Sequence, residues 1–146
     1  MARTKLDLPA RFPFSTDIPV RITDVNYGGH LGNDSLLSLL QEARLQFLRE
    51  HAYSEKDVEG RGMIMLDAVV LYRSEAFYGD LLRIEVAVAD VGPHGCDLLY
   101  RVTQKESGKE VSRAKTTIAF FDYAKRKVVE VPDAFRRKFA PPMQNT

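Results

Sequence analysis

The residues with the most chemical potential lie in one short stretch, DVNYGGHLG over residues 24–32, with three glycines in nine positions. Glycines beside Asp24 and Asn26 predict a loop with special backbone angles. His30 follows two of those glycines, and its imidazole can hold a substrate or water, or it can pack or cap its own loop. Asn26 has no charge to give. It orients a water or a carbonyl by hydrogen bonds, or it shapes the loop as an Asx turn. Asp24 reads as a loop-fixing acceptor. The loop runs straight into a leucine-rich segment, and unpaired N–H groups at a helix start point outward with the positive end of the dipole. Such an arrangement can hold a developing negative charge. Asp34 and Glu42 are the acids between residues 26 and 44. Asp34 is either a base or a helix N-cap. Glu42, two turns on, is either a base or the partner of Arg44, another basic side chain or a backbone group.

The elements that must position these groups follow from periodicity. Residues 1–14 form a polar entry arm with Pro9 and Pro13. Residues 15–23 alternate as a strand, with Ile18, Val20 and Ile22 on one face and Pro19 marking an edge or a start. Asn33, Asp34 or Ser35 can cap the following helix. Leu36, Leu39, Leu40, Ala43 and Phe47 recur at spacings of three and four. Leu37, Leu45 and Leu48 widen the stripe beyond one face, so the helix should be covered on more than one side. It should end near residues 51–53. Four strands follow, at 63–72, 81–91, 96–104 and 110–121, joined by short turns that make neighbours antiparallel. A short last helix begins near Pro132. A sheet of that size must bury one face, and the leucine-rich helix is the element able to cover it. Wrapping a sheet around one helix leaves strand edges open, and open edges commonly pair between subunits.

Composition narrows the classes. The chain has 146 residues, 45% hydrophobic and 28% charged, so one globular domain is expected and disorder is not. Lys and Arg number 21 against 20 Asp and Glu, a formal net charge of +1 that argues against a nucleic-acid binder. One cysteine, Cys96, excludes an intrachain disulfide and a Cys-based zinc site, and no adjacent base marks it as a nucleophile. No apolar run reaches membrane-span length, and residues 1–13 lack the apolar core of a signal peptide. A reducing, cytoplasmic location is the expectation.

Residues 20–44, VRITDVNYGGHLGNDSLLSLLQEAR, resemble the acyl-CoA thioesterases of the 4-hydroxybenzoyl-CoA thioesterase type. The matching parts are Asp24, Gly29, His30, Asn33 and the helix triplet Glu42-Ala43-Arg44. Residues 72–80 (YRSEAFYGD) look like that family's turn between two sheet strands, and 121–132 (FDYAKRKVVEVP) are similar to its closing strand and exit. The resemblance spans roughly residues 16–132. It implies an α+β hotdog fold, an antiparallel sheet of five or six strands wrapped around one long central helix. It implies one domain over 1–146, with the arm at 1–14 and a C-terminal helix and tail at 132–146.

The resemblance further implies hydrolysis of an acyl-CoA thioester by a homodimer or homotetramer. No metal and no cofactor beyond the CoA of the substrate are implied, nor is a nucleic-acid or membrane partner. The family's catalytic carboxylate usually lies four residues before the position of His30, where this chain has Asn26. Another acid must then act: Asp34 first, then Glu42, or else Asp67 or Glu75 of a neighbouring subunit. The resemblance places an oxyanion-binding amide near Asn33, with Gly28 and Gly29 admitting the acyl carbonyl to the backbone. Arg73, Lys115 and Arg126 are the cations for CoA, although the run at 125–127 also reads as a solvated hairpin face. Two other functions share the fold. Hotdog hydratases resemble Asp-x-Asn-Pro-x-His, of which Asp24-Val25-Asn26 is present, without the proline and with His30 one residue late. A non-catalytic acyl- or CoA-binding protein would have no need of the missing carboxylate.

Overall fold

The structure is a computed structural model that describes residues 2–140; position 1 and the tail expected over 141–146 lie outside the described residues. Six strands and two helices run in the order β1 (Phe14–Pro19), α1 (Asn33–Glu50), β2 (Gly62–Tyr72), β3 (Leu81–Ala89), β4 (Gly95–Gln104), β5 (Glu110–Asp122), β6 (Lys127–Val128) and α2 (Asp133–Phe139). The strands form one antiparallel sheet in the order β1-β3-β4-β5-β2, with β6 added to β5. Alternation along β3 to β5 turns Leu82, Ile84, Val86, Leu98, Tyr100, Val102, Ala114, Ile118 and Phe120 into the core. Against them α1 buries Leu36, Leu39, Leu40, Ala43, Phe47 and Leu48. Each such Leu or Phe contributes about 1.5–3 kcal/mol on burial. This is the hotdog arrangement that the sequence predicted.

Three local expectations differ. The strand expected through residue 23 ends at Pro19, whose pairing with Leu81 is the last of the β1–β3 ladder. Proline has no N–H to continue a ladder. The next residues bend into a 3-10 turn, Ile22–Asp24, because the Asp24 carboxylate accepts the Arg21 backbone N–H at 2.8 Å. Ile22 is consequently exposed. Second, Asn33, Asp34 and Ser35 do not cap α1: Gly32 is the N-cap, without a side-chain bond. Third, Leu37 is 43% exposed, because α1 lies closest to β1 and β3 and leaves its flank toward β2 uncovered.

That flank has two notable features. An apolar cavity of about 370 Å³ separates α1 from β2 and β5, walled by Leu37, Leu40, Met63, Met65 and Ile118. At its end is the buried Arg44, which donates to Glu55 Oε1 at 2.9 Å and to the Tyr100 hydroxyl at 3.2 Å. β2 pairs with β5 on one side only and exposes Met65 and Leu66. Its register breaks between Met65 and Asp67, leaving Leu66 without a partner. A break of this kind is the bulge typical of an edge strand.

Candidate active site

The loop at 25–31 is a miniature hairpin. Val25 bridges Leu31, and the Asn26 N–H donates to the His30 carbonyl at 2.9 Å. Its tight turn needs glycine at position 29, where φ is +82°. Asn26 Oδ1 accepts the Gly28 N–H at 2.9 Å, the Asx turn that its sequence allowed. The Gly29 N–H donates to the Asn26 carbonyl at 3.0 Å and so is committed within the turn. The Asn33 N–H, near which the resemblance implied an oxyanion-binding amide, is not committed in this way.

Two buried bonds aim this hairpin. The carbonyl of Asp24 accepts the Gly32 N–H at 2.9 Å, and Asp24 itself is 4% exposed beside Arg21. It fixes the loop and stands away from solvent. The Leu31 N–H donates to the Ala76 carbonyl at 2.7 Å, which joins the loop to the segment after β2. That segment is held in turn by Arg73 and Ser74 N–H groups on the Val111 carbonyl, at 2.9 and 3.2 Å. Sequence-distant residues therefore meet at a cleft of about 220 Å³, lined among others by His30, Asn33, Leu36, Tyr72, Arg73 and Glu75.

The orientation of His30 follows from its partners. Its Nδ1 lies 3.2 Å from the Leu31 carbonyl oxygen, which can only accept. Nδ1 therefore carries the hydrogen in the neutral ring, and Nε2 keeps the lone pair. Nε2 stands 3.9 Å from Glu75 Oε1, too long for a direct hydrogen bond, and the Glu75 side chain is largely exposed. Opposite this pair is the start of α1. With Gly32 as N-cap and Leu36 the first residue bonded back to it, the N–H groups of Asn33, Asp34 and Ser35 have no partner within the helix. A Cβ on Gly32 would fall 2.8 Å from Asp34 Oδ1, so the carboxylate of Asp34 folds back over the Gly32 position.

The remaining expected residues are spread more widely. Asp34 is exposed in the first turn of α1 and does not line the cleft. Glu42 is exposed further along the helix, and its charge acts on Arg21. Among the three expected CoA cations, Arg73 lines the cleft. Lys115 is on β5, 3.9 Å from Asp67, and Arg126 is exposed in the β5–β6 turn at φ +52°. Cys96 is buried, which pushes its thiol up to about 12, so it remains protonated at neutral pH. Tyr72 and the pairing of Glu75 with His30 were not read from local sequence. They depend on the Leu31–Ala76 bond, and the family-like stretch at 72–80 was the signal that could have found them.

With this geometry in view, the thioesterase-like superfamily matches residues 20–139. The chain belongs to that superfamily. Solved structures agree on the fold. A 1,4-dihydroxy-2-naphthoyl-CoA thioesterase from Synechocystis superposes with a TM-score of 0.78 at 20% identity, covering 86% of this chain and 94% of its own. A thioesterase-superfamily protein from Jannaschia sp. reaches 0.79 at 17% identity, covering 90% and 83%. A gentisyl-coenzyme A thioesterase reaches 0.74 at 15% identity, covering 84% and 99%. No curated protein matches the sequence. Among the described residues, no helix is long and apolar enough to cross a membrane.

Proposed function

We propose that the protein hydrolyses an acyl-CoA-type thioester at the cleft between the His30 loop and the start of α1. The observation that carries this reading is the convergence there of a lone-pair imidazole nitrogen, a nearby carboxylate and the Asn33 N–H at the helix start. A water that donates to His30 Nε2, beside the Glu75 carboxylate, loses a proton to the imidazole as its oxygen bonds to the acyl carbon. The carbonyl oxygen gains charge against the N–H group of Asn33. Collapse of the intermediate restores the carbonyl and expels the thiolate, which takes the proton back from His30. Glu75 thus serves where the family's usual carboxylate is replaced by Asn26. The acyl group extends into the apolar cavity along α1, and Arg73 faces the CoA side.

A second reading keeps Asp34 as the carboxylate. It is favoured by the position of Asp34 over Gly32 and by its charge acting on Tyr72, which does line the cleft. The unpaired edge of β2, with Met65, Leu66 and Leu37 exposed beside it, supports assembly as a homodimer or a homotetramer. The free, buried Cys96 accords with a cytoplasmic setting.

Thiol release from a panel of aromatic and aliphatic acyl-CoAs tests the proposal. Hydrolysis liberates CoA thiol. Loss of enoyl absorbance without thiol would instead mark a hydratase. Saturable thermal stabilisation without turnover would mark a binding protein.

A further inference from the structure

A second cleft, of about 630 Å³, shares Arg73 with the His30 cleft, and the N-terminal arm forms much of it. Its lining includes Arg3, Lys5, Arg73 and Arg113 against a single carboxylate, Asp7. The arm is anchored there. Arg113 Nη1 donates to the Leu6 carbonyl at 2.9 Å, and further along Arg101 stacks over the Phe12 ring at 5.2 Å. The other guanidinium nitrogens of Arg113 are committed to Glu110, at 3.0–3.2 Å. Arg3, Lys5 and Arg73 form no ion pair among the described residues. Three such cations in one concavity favour an anion there, and guanidinium forks match phosphate oxygens.

We propose that Arg3 and Lys5 of the arm, with Arg73, bind the phosphate groups of the nucleotide end of CoA. The inference rests on the hydrolase reading, because Arg73 lines both this cleft and the His30 cleft and so marks where a long pantetheine arm crosses from one to the other. A nucleoside phosphate is favoured over an acidic carrier protein because the cations face a concavity, where a small charged group fits and a flat protein surface does not. Sequence reading passed over Arg3 and Lys5 because they precede the family-like region and look like ordinary arm charges.

The test uses adenosine 3′,5′-bisphosphate titrated into the full chain by calorimetry. The wild type should bind it with an affinity that falls as salt rises. The Arg3→Ala/Lys5→Ala double variant, altered only on the arm, should bind about tenfold or more weakly, since charge-assisted bonds carry this contact. Asp7→Asn should bind severalfold more tightly, a gain that loss of folding cannot mimic. The same double variant should lose more affinity for CoA than for 3′-dephospho-CoA. Equal binding by wild type and double variant would overturn the proposal. So would no bisphosphate binding, or a loss confined to thioesters of an acyl carrier protein. The readout is independent of turnover: an inactive protein that binds the bisphosphate through Arg3 and Lys5 refutes the hydrolase reading alone, whereas an active one that ignores the bisphosphate refutes this inference alone.

Discussion

The hydroxyl of Tyr72, the last residue of β2, donates to the carbonyl of Asn33, the first residue of α1, over 2.8 Å. One bond thereby ties the unpaired edge strand to the helix start, where Asn33 lines the cleft. Partial burial, and then the negative charge of Asp34, push the Tyr72 ionisation up, so it remains a donor at neutral pH.

Replacing Tyr72 with Phe removes that donor and leaves the ring. The partially exposed Asn33 carbonyl can turn to water, so the cost should be about 1 kcal/mol in urea unfolding. A loss of several kcal/mol would show that Tyr72 supports more than this bond.

Leu40 is 1% exposed at the middle of α1. Leu40→Ala should destabilise the fold by about 2–5 kcal/mol, through lost transfer energy and the cavity left behind. Unfolding at an unchanged denaturant midpoint would contradict the wrapped-helix core.

Why the core was legible and the cleft was not follows from range. The α1 stripe and the alternation of β3 are local patterns, so Leu36, Leu40, Ile84 and Val86 could be placed from their neighbours in sequence. The end of β1 turned on competition between apolar alternation and a single backbone N–H, which Asp24 won from three residues away. Leu37 carries the same stripe as Leu36, yet the sequence does not encode how far α1 stands from β2. The loop residues Asn26 and His30 could be named, but the partner facing His30 comes from 45 positions downstream. No periodicity links them.

His51 caps α1 within an aromatic cluster, its ring 5.1 Å from Phe47 and 4.9 Å from Phe139. Burial first, then Lys138, lower its pKa below 6.5, with Glu50 opposing. The unfolded chain therefore takes up a proton at a higher pH than the folded chain does. The stability held by neutral His51 is complete above about pH 6.5 and should be lost as pH falls below that value. Urea midpoints between pH 7.5 and 5 should decline less in His51→Gln than in the wild type. Parallel declines would exclude His51 as a source.

Asn26→Asp should keep the loop, because an aspartate oxygen can accept the Gly28 N–H in place of Asn26 Oδ1. It also restores the family's usual acid. Turnover should be retained or rise, with a thermal midpoint close to that of the wild type. Asp34→Asn separates the two carboxylate readings: little change in kcat agrees with Glu75, whereas a fall of about 10² assigns the role to Asp34.

The most direct test of the account is kcat for thiol release by His30→Gln, on whichever acyl-CoA the wild type turns over best. Glutamine can still donate toward the Leu31 carbonyl, but it cannot take a proton from water. Its kcat should fall by about 10²-fold or more, the usual weight of a general base, while KM changes little. Glu75→Gln should move the same parameter in the same direction. A His30→Gln enzyme with wild-type kcat would contradict the assignment of the chemistry to this cleft.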